Sequence, residues 1–328
     1  MKKFLSTILI GMFVLCIAMP VFAAKPRVLK FSSIHEPTHP SAITAEFFAT
    51  RVKQLTNGEV EMQVYHSRQL GDALQNVENV RNGSVAMTSV SIANLSQVNP
   101  KMDMFSLPYI FKSGDHYWYI LNHPKTMEFM SVLNPKGIKL VSWIDSGARS
   151  LFTQEPVRTP ADMKGMKIRV MASPVMINTM KALGANGVPV AWGELYTALQ
   201  TGVVDGAENN PPSVLSMKFY EVSKYFTLDE HMRIPDANII SAKVFDKLSK
   251  SQQAAIMKAG EEATAFMRGA WAISRQKSLQ ELKSLLKEII EPDKQPFIDA
   301  VGDFVQEQAK KLEVADMVNW IMAEGDNF

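Results

Sequence analysis

The sequence contains a His-Glu-x-x-His motif at residues 35–39. On a continuous helix this spacing places two imidazoles one turn apart, where they bind a catalytic zinc ion. Here Pro37 lies inside the motif and Pro40 follows it, and the residue before a proline avoids helical backbone angles. No third ligand is obvious in the sequence. We therefore predict a loop between a strand and a helix, without a zinc site.

This loop has a second potential use, because α/β proteins place ligand contacts in the loops that follow parallel strands. His35 and Glu36 are therefore candidate ligand-binding residues. A solvent-exposed loop without a binding role is the alternative, and the sequence leaves it open.

Two arginines lie in or shortly after predicted strands. Arg169 has apolar neighbours in the strand at 167–171, and Arg149 follows the strand at 140–144. A charged residue in such surroundings is rarely without a partner. The planar guanidinium binds a carboxylate through two parallel hydrogen bonds. That carboxylate belongs either to a bound ligand or to an Asp or Glu of the protein itself, and the sequence leaves both open.

Two further residues are candidates for a binding pocket. Asn209 lies in an amide-rich turn directly after a predicted strand at 203–207, and its side chain can both donate to and accept from a ligand. Turn formation alone also favours asparagine. Trp192 precedes a predicted helix, and it packs either on a ligand or in the core.

No pattern in the sequence indicates a nucleophilic enzyme or a phosphate-binding loop. There is no G-x-S-x-G motif, no P-loop and no G-x-G-x-x-G, and the single cysteine, Cys16, lies in the N-terminal apolar segment. The net charge of +2 over 328 residues gives no reason to expect a nucleic-acid partner. We predict a protein that is not an enzyme and that uses no metal or cofactor.

Residues 1–23 have the composition of a secretory signal peptide. Lys2 and Lys3 precede an apolar run at 8–19, a proline ends the run, and Ala23 provides a small residue at the expected cleavage site. The run is shorter than the ~20 residues that a membrane-spanning helix needs. We expect export to the periplasm and a mature chain that is not embedded in the membrane.

The mature chain alternates strands and helices, which indicates an α/β fold with helices on the faces of the sheets. Strands at 28–32, 60–64 and 85–90 enclose two helices, and a similar order returns after residue 167. A long helical stretch covers 244–291, and a shorter one follows. We predict two α/β lobes with mixed sheets, joined by a hinge that includes the long helix.

Four segments follow the signal peptide in a specific order. They are QLG at 69–71, SLPY at 106–109, DMKGMKIRV at 162–170 and ELYTALQTGVVDGAEN at 194–209. Together they resemble the solute-binding proteins of TRAP (tripartite ATP-independent periplasmic) transporters, the C4-dicarboxylate-binding or DctP-like family. The resemblance covers nearly the whole mature chain. It implies a monomeric periplasmic binding protein of the Venus-flytrap type, with lobe I at 25–146 plus 235–274 and lobe II at 147–234 plus 275–328.

The resemblance also implies a function and a set of binding residues. The family's carboxylate-clamping arginine matches Arg169, and a second family arginine matches Arg149. The expected ligand is a small organic acid, either a sugar acid such as a uronate or a C4-dicarboxylate. The expected partners are the small and large membrane permease subunits of the transporter. The other pocket positions of the family match Asn209, Trp192, Ser91 and the loop around His35.

Two other functions remain open from the sequence. One is a periplasmic metal-dependent enzyme that uses His35 and His39. The other is a sensor that uses the same ligand pocket to signal to a receptor. Metal analysis of the purified protein tests the first, and neighbouring permease genes would favour transport over the second.

Overall fold

The computed structural model describes residues 25–328, so the predicted signal peptide at 1–23 lies outside the described residues. The chain forms two mixed β-sheets with helices packed against each, which confirms the predicted α/β fold with two lobes. The strands are β1 (Arg27–Ser33), β2 (Val60–Tyr65), β3 (Met87–Ser91), β4 (Ile138–Ile144), β5 (Arg149–Thr153), β6 (Lys167–Val170), β7 (Asn186–Pro189), β8 (Gly206–Asn209), β9 (Tyr225–Met232), β10 (Asp236–Ser241) and β11 (Glu288–Ile290).

Helices connect most of these strands, and none of them within residues 25–328 has the length and apolar composition that a membrane span requires. The α-helices are α1 (Pro40–Leu55), α2 (Ala73–Asn82), α3 (Gly114–Asn122), α4 (Pro124–Met130), α5 (Pro174–Ala182), α6 (Leu195–Gln200), α7 (Pro211–Ser216), α8 (Ala242–Phe245), α9 (Lys250–Leu285), α10 (Gln295–Lys311) and α11 (Ala315–Glu324). Short 3-10 helices cover Ile92–Gln97, Pro100–Ser106, Ser131–Lys136, Pro160–Met163, Trp192–Glu194, Phe219–Glu221 and Gly325–Asn327.

The first sheet has the strand order β2-β1-β3-β10-β4. β1 is parallel to β2 and β3, whereas β10 is antiparallel to β3 and β4. The second sheet has the order β11-β9-β5-β8-β6-β7, in which β5 is antiparallel to β8 and β9. Each sheet therefore combines parallel strands with a strand of opposite direction. The carboxyl ends of the parallel strands and the amino ends of β5 and β10 lie at the same edges, where a ligand site is expected.

Local sequence explains where two site-bearing helices begin. α1 follows His39, whose Nδ1 accepts a hydrogen bond from the Ser41 backbone N–H at 3.2 Å, and Pro40 occupies the first turn. α5 follows Ser173, whose hydroxyl accepts from the Met176 backbone N–H at 3.0 Å. Ser173 is therefore the N-cap of α5. Both caps fix the loops that enter these helices.

α9 is a helix of 36 residues that contacts both lobes. It begins with a capping box at Ser249. Ala259 packs in a core beside the first sheet, and Leu282 packs in a core beside the second. The prediction of one helix over 244–291 is wrong at both ends. The chain turns before Ser249, and its isoleucine pair at 289–290 joins the second sheet in β11, because β-branched residues favour a strand.

The C-terminal helices pack against both lobes. Phe297, early in α10, lies in a core of the second lobe, whereas Val305, later in the same helix, lies in a core of the first. α11 adds Val318 to that first-lobe core. The exact lobe boundaries stay a prediction, and these contacts show that residues 275–328 bridge the two cores.

Candidate functional site

A cavity of about 210 Å³ lies between the two sheets. Its walls are the edges where β1, β3 and β10 of the first sheet face β5, β6 and β8 of the second. This placement follows from the topology, because the loops at the carboxyl ends of parallel strands share one edge. Six of the seven predicted site residues line the cavity, and they are His35, Ser91, Arg149, Arg169, Trp192 and Asn209.

Arg169, in β6, is buried in the cavity wall with most of its guanidinium uncommitted. Its Nε donates to the Val190 carbonyl oxygen at 2.8 Å, and its Cζ lies 5.8 Å from the centre of the Trp192 ring. No Asp or Glu among residues 25–328 lies within 4.0 Å of its nitrogens. Burial lowers the pKa of Arg169 to about 10; the charge of Glu208 opposes this shift, and that of Arg149 adds to it. Arg169 is therefore a desolvated cation at neutral pH.

Arg149, at the start of β5, is already paired with a carboxylate of the protein. Its Nε lies 2.5 Å from Glu208 Oε2, and its Nη2 lies 2.8 Å from Glu208 Oε1. Nη2 also donates to the Glu208 carbonyl oxygen at 3.1 Å. The sequence left open whether a ligand or the protein provides the carboxylate partner of Arg149. Glu208 of the protein provides it. Only Nη1 makes none of these bonds.

A second buried pair lies on the strand next to β5. Nδ1 of His231 lies 2.7 Å from Asp229 Oδ2, and Nε2 of His231 lies 3.9 Å from Glu208 Oε2. Burial lowers the pKa of His231, but the charge and hydrogen bond of Asp229 together with the charge of Glu208 outweigh it and hold the pKa above its ordinary value. Glu208 and Asp229 therefore each have a basic partner inside the protein.

Asn209 ends β8, and its neighbour holds the turn in place. The Asn210 backbone N–H donates to Asn209 Oδ1 at 2.8 Å, so the amide nitrogen of Asn209 is the group that can donate to a ligand. The Asn210 side chain donates to the Ser146 carbonyl oxygen at 3.0 Å and accepts from the Ser213 N–H at 2.9 Å. Asn210 thus connects the cavity to the segment in which the chain crosses between the sheets.

Three rings form the aromatic part of the cavity. The rings of His35 and His39 are stacked, with centres 3.9 Å apart and planes at 8°. Trp192 lies edge-on to His35 at 6.0 Å. Burial lowers the pKa of His35 to about 4, and it lowers the pKa of His39 well below the ordinary value. Both imidazoles are therefore neutral at pH 7.

The predicted strand-to-helix loop is confirmed, since residues 34–39 connect β1 to α1. The two histidines lack the geometry of a zinc pair. Because the rings are stacked, the lone pairs of their nitrogens lie side by side and do not converge on one metal ion. Both His39 nitrogens are also engaged, Nδ1 with the Ser41 N–H and Nε2 with the Ser213 hydroxyl at 3.3 Å. Among residues 25–328, no group of three His, Cys, Asp or Glu side chains is arranged to hold a metal ion.

Glu36 is the predicted site residue that the structure does not bring to the cavity. Its carboxylate accepts a hydrogen bond from the Ser67 hydroxyl at 2.6 Å, and it is absent from the described residues that line the wall. The loop turns after His35, which directs the next side chain toward the segment after β2. Glu36 as a ligand contact is therefore a prediction that this geometry does not support.

Two carboxylates line the cavity without having been predicted. Asp236 begins β10 and lies in register with Ser91 on one side and Ile144 on the other. Asp72 caps α2 through the Ala73 N–H at 2.7 Å, and its second oxygen accepts from the Gly193 N–H at 3.2 Å. No sequence motif marks either position. Asp236 is brought to the cavity by the pairing of β10 with β3 and β4, which the sequence alone does not reveal.

The comparison with protein families identifies the fold's relatives. The family model for the bacterial extracellular solute-binding proteins of family 7, DctP, matches residues 31–312. The chain belongs to this DctP family. The predicted resemblance to TRAP solute-binding proteins is therefore confirmed. Among curated relatives, the C4-dicarboxylate-binding periplasmic protein DctP of Rhodobacter capsulatus is 33% identical over 277 residues, covering 84% of this chain and 83% of that protein.

Solved DctP-type structures show the same fold with sugar acids bound. The TRAP periplasmic solute-binding protein from Pseudomonas putida F1, with bound D-glucuronate, has a TM-score of 0.87 and 33% identity, covering 90% of this chain and 96% of that one. The corresponding protein from Sulfitobacter sp. NAS-14.1, with bound β-D-galacturonate, has a TM-score of 0.85 and 32% identity, covering 90% of this chain and 100% of that one.

Proposed function

We propose that this chain is the ligand-binding receptor of a TRAP transporter and that it captures a sugar acid such as a uronate. The observation that carries the proposal is the Arg169 guanidinium, a buried cation on the cavity wall with no protein carboxylate within 4.0 Å among residues 25–328. The D-glucuronate and galacturonate in the two similar structures support this ligand class, because each is a carboxylate with several hydroxyl groups.

Arg169 binds the ligand carboxylate in this proposal. Because Val190 holds Nε, the two Nη atoms form the fork that donates two parallel hydrogen bonds. Each charge-assisted bond contributes about 1.5–3 kcal/mol. The amide nitrogen of Asn209 adds a neutral donor, and the Trp192 ring packs against the apolar face of the sugar. Burial of the guanidinium excludes water and strengthens each of these contacts.

Contacts between the lobes would couple binding to closure. The Asp72 carboxylate accepts from the Gly193 N–H at 3.2 Å, and the Gln97 side chain donates to the Ala172 carbonyl at 2.8 Å. The crossing segment contains Gly147 at φ 60°, where a side chain would collide with Trp271. A ligand that touches both walls binds the closed form better than the open form, and this difference in affinity drives closure.

The remaining parts of the proposal concern the chain's surroundings. We propose that residues 1–23 direct export to the periplasm and are removed. The closed receptor, with lobes at the predicted boundaries, then delivers its ligand to the membrane permease subunits. The neutral, stacked histidines and the ion-paired Arg149 support a binding role without catalysis.

The proposal is tested by identifying what the purified protein binds. Mass spectrometry of small molecules released on denaturation is expected to yield a sugar acid, and isothermal titration of the stripped protein with D-glucuronate and D-galacturonate is expected to show one site. Ligand at about 100 times Kd should add about 2.7 kcal/mol to the free energy of unfolding. Failure of every organic acid in a broad panel to bind, or turnover of one of them, would contradict the proposal.

A further inference from the structure

The cavity has an unequal distribution of charge between its two walls. The second-lobe wall carries Arg149 and Arg169, and the first of these is neutralised by Glu208 in a buried pair. The first-lobe wall carries two acids, Asp72 and Asp236, and no lysine or arginine among the described residues that line it. Among the described residues that line the cavity, Arg169 on the second-lobe wall is therefore the one cation without a carboxylate partner.

Asp236 is the more deeply placed of the two acids. It is 7% exposed, it begins β10, an interior strand of the first sheet, and no cation among residues 25–328 lies within 4.0 Å of its carboxylate. Burial raises the pKa of Asp236 to about 7, although the charge of Arg149 opposes the shift. Asp236 is therefore ionised in only part of the molecules at neutral pH and in nearly all of them at pH 9, where its carboxylate accepts hydrogen bonds from hydroxyl groups.

The remaining residues that line the first-lobe wall carry no positive charge, although Arg68, outside the lining, lies near His35 and Asp72. His35 and His39 are neutral at pH 7, as their lowered pKa values require. Ser91 pairs in register with Asp236, and its side chain adds a hydroxyl to this wall. A ligand that reaches this wall therefore meets carboxylates, hydroxyls and uncharged imidazoles. Hydroxyl groups satisfy such partners, and a second carboxylate does not.

We propose that Asp236 makes this receptor prefer acids that carry one carboxylate and several hydroxyls over diacids. The inference rests on the proposed function, in which Arg169 takes the ligand carboxylate. It decides between the two ligand classes that the sequence left open, in favour of sugar acids over C4-dicarboxylates. The ligand's hydroxyls donate to the Asp236 carboxylate, whereas a second ligand carboxylate would face it without a counter-ion.

The test compares two ligands that differ at one carbon. D-galactonate and galactarate share the same six-carbon chain and the same first carboxylate, and they differ in a terminal hydroxymethyl or carboxylate group. Isothermal titration at pH 9, two units above the pKa of Asp236, is expected to give galactarate about 100-fold weaker binding than galactonate, because the diacid then either faces an ionised Asp236 or binds only with uptake of a proton. Succinate is expected to show the same exclusion.

The variant Asp236→Asn removes the charge and keeps a hydrogen-bonding side chain of the same size. It is expected to lower the galactonate-to-galactarate affinity ratio by about tenfold or more. The matched control is Asp303→Asn, which removes the same charge from an exposed position in α10 and is expected to leave the ratio unchanged. Asp236→Ser provides a second neutral replacement if the asparagine variant does not fold.

The outcomes separate this inference from the proposed function. Equal affinities for galactonate and galactarate in the unmodified protein would overturn the exclusion of diacids while leaving the receptor function intact. A ratio that stays the same in both Asp236 variants would overturn the role of this residue. Failure of all acids to bind would contradict the proposed function itself.

Discussion

The two walls of the cavity are built from similar strand edges but carry different chemistry. The second-lobe wall presents guanidinium and amide groups from Arg149, Arg169 and Asn209. The first-lobe wall presents Asp236 together with serine hydroxyls and neutral imidazoles. One wall is therefore suited to a negative charge, and the other to hydroxyl groups. In such a site both walls contribute to affinity, and the ligand's charge and its hydroxyl groups are recognised by different walls.

The same contrast exists between the two arginines of the second-lobe wall. Arg149 has its carboxylate partner inside the protein, whereas Arg169 has none among residues 25–328. A buried ion pair that loses one member leaves an uncompensated charge, which is strongly destabilising. A buried cation without a partner, in contrast, is a cost that a ligand removes. We therefore expect Arg149 to act in the scaffold and Arg169 to act in ligand binding.

The largest expected effect is on affinity, in Arg169→Ala. Loss of two charge-assisted hydrogen bonds should weaken binding of the cognate acid by about 1,000-fold, as measured by isothermal titration. The free energy of unfolding without ligand should stay the same or rise, because a desolvated cation is removed. The control Arg158→Ala removes a charge from an exposed pair with Glu288 on the same lobe and should change affinity less than about threefold. Similar losses in both variants would refute the distinction.

Arg149→Ala should show the opposite pattern in stability. With Glu208 left buried and unpaired, the free energy of unfolding should fall by about 3–5 kcal/mol in chemical denaturation without ligand. Adding Glu208→Gln to this variant should recover part of the loss, since the unpaired charge is then absent. A loss below about 1 kcal/mol in the single variant would mean that the pair contributes little to the scaffold.

Asp236 should make the ligand-free protein less stable at high pH. Its pKa is about 7 in the folded protein and near 3.8 when unfolded, so the folded state binds more protons between these pH values. Stability is therefore lost as pH rises through about 7. Relative to Asp236→Asn, the unmodified protein should lose on the order of 1–3 kcal/mol between pH 5 and pH 8 in urea denaturation. A constant difference between the two proteins would contradict the buried acid.

The smallest effect concerns a contact across the cavity. His39 Nε2 lies 3.3 Å from the Ser213 hydroxyl, which connects α1 to α7. Ser213→Ala should weaken ligand binding about threefold to tenfold, the value of one neutral hydrogen bond. Ser216→Ala, on the same helix, is the control, because its hydroxyl faces the carbonyl of its own helix. An equal effect of the two variants would show that the contact between the walls does not matter for binding.

The sequence predicts the second-lobe wall better than the first for a physical reason. Arg169 and Asn209 lie within or directly after short strands, so local pattern identifies them as candidates. Whether an arginine pairs with the protein or with a ligand depends on long-range strand pairing, here of β5 with β8, which brings Glu208 to Arg149. That question stayed open until the structure was known.

The position of Asp236 depends even more strongly on strand pairing that the sequence does not reveal. β10 returns from the second lobe to pair between β3 and β4, and no local pattern reports this crossing. The C-terminal helices are similar: periodicity identifies them as helices, but their packing on both lobes depends on tertiary contacts. The overall architecture and the position of Arg169 in the cavity wall were therefore accessible from the sequence, while the acids of the first-lobe wall were not.

The central claim is that Arg169 receives the ligand's carboxylate. The most direct test is a crystal structure of the protein with D-glucuronate or its own co-purified acid bound. We expect the two carboxylate oxygens about 2.7–2.9 Å from the two Nη atoms of Arg169, with hydroxyl groups directed to the first-lobe wall. A carboxylate directed to that wall, or bound to Arg149 in place of Glu208, would contradict it.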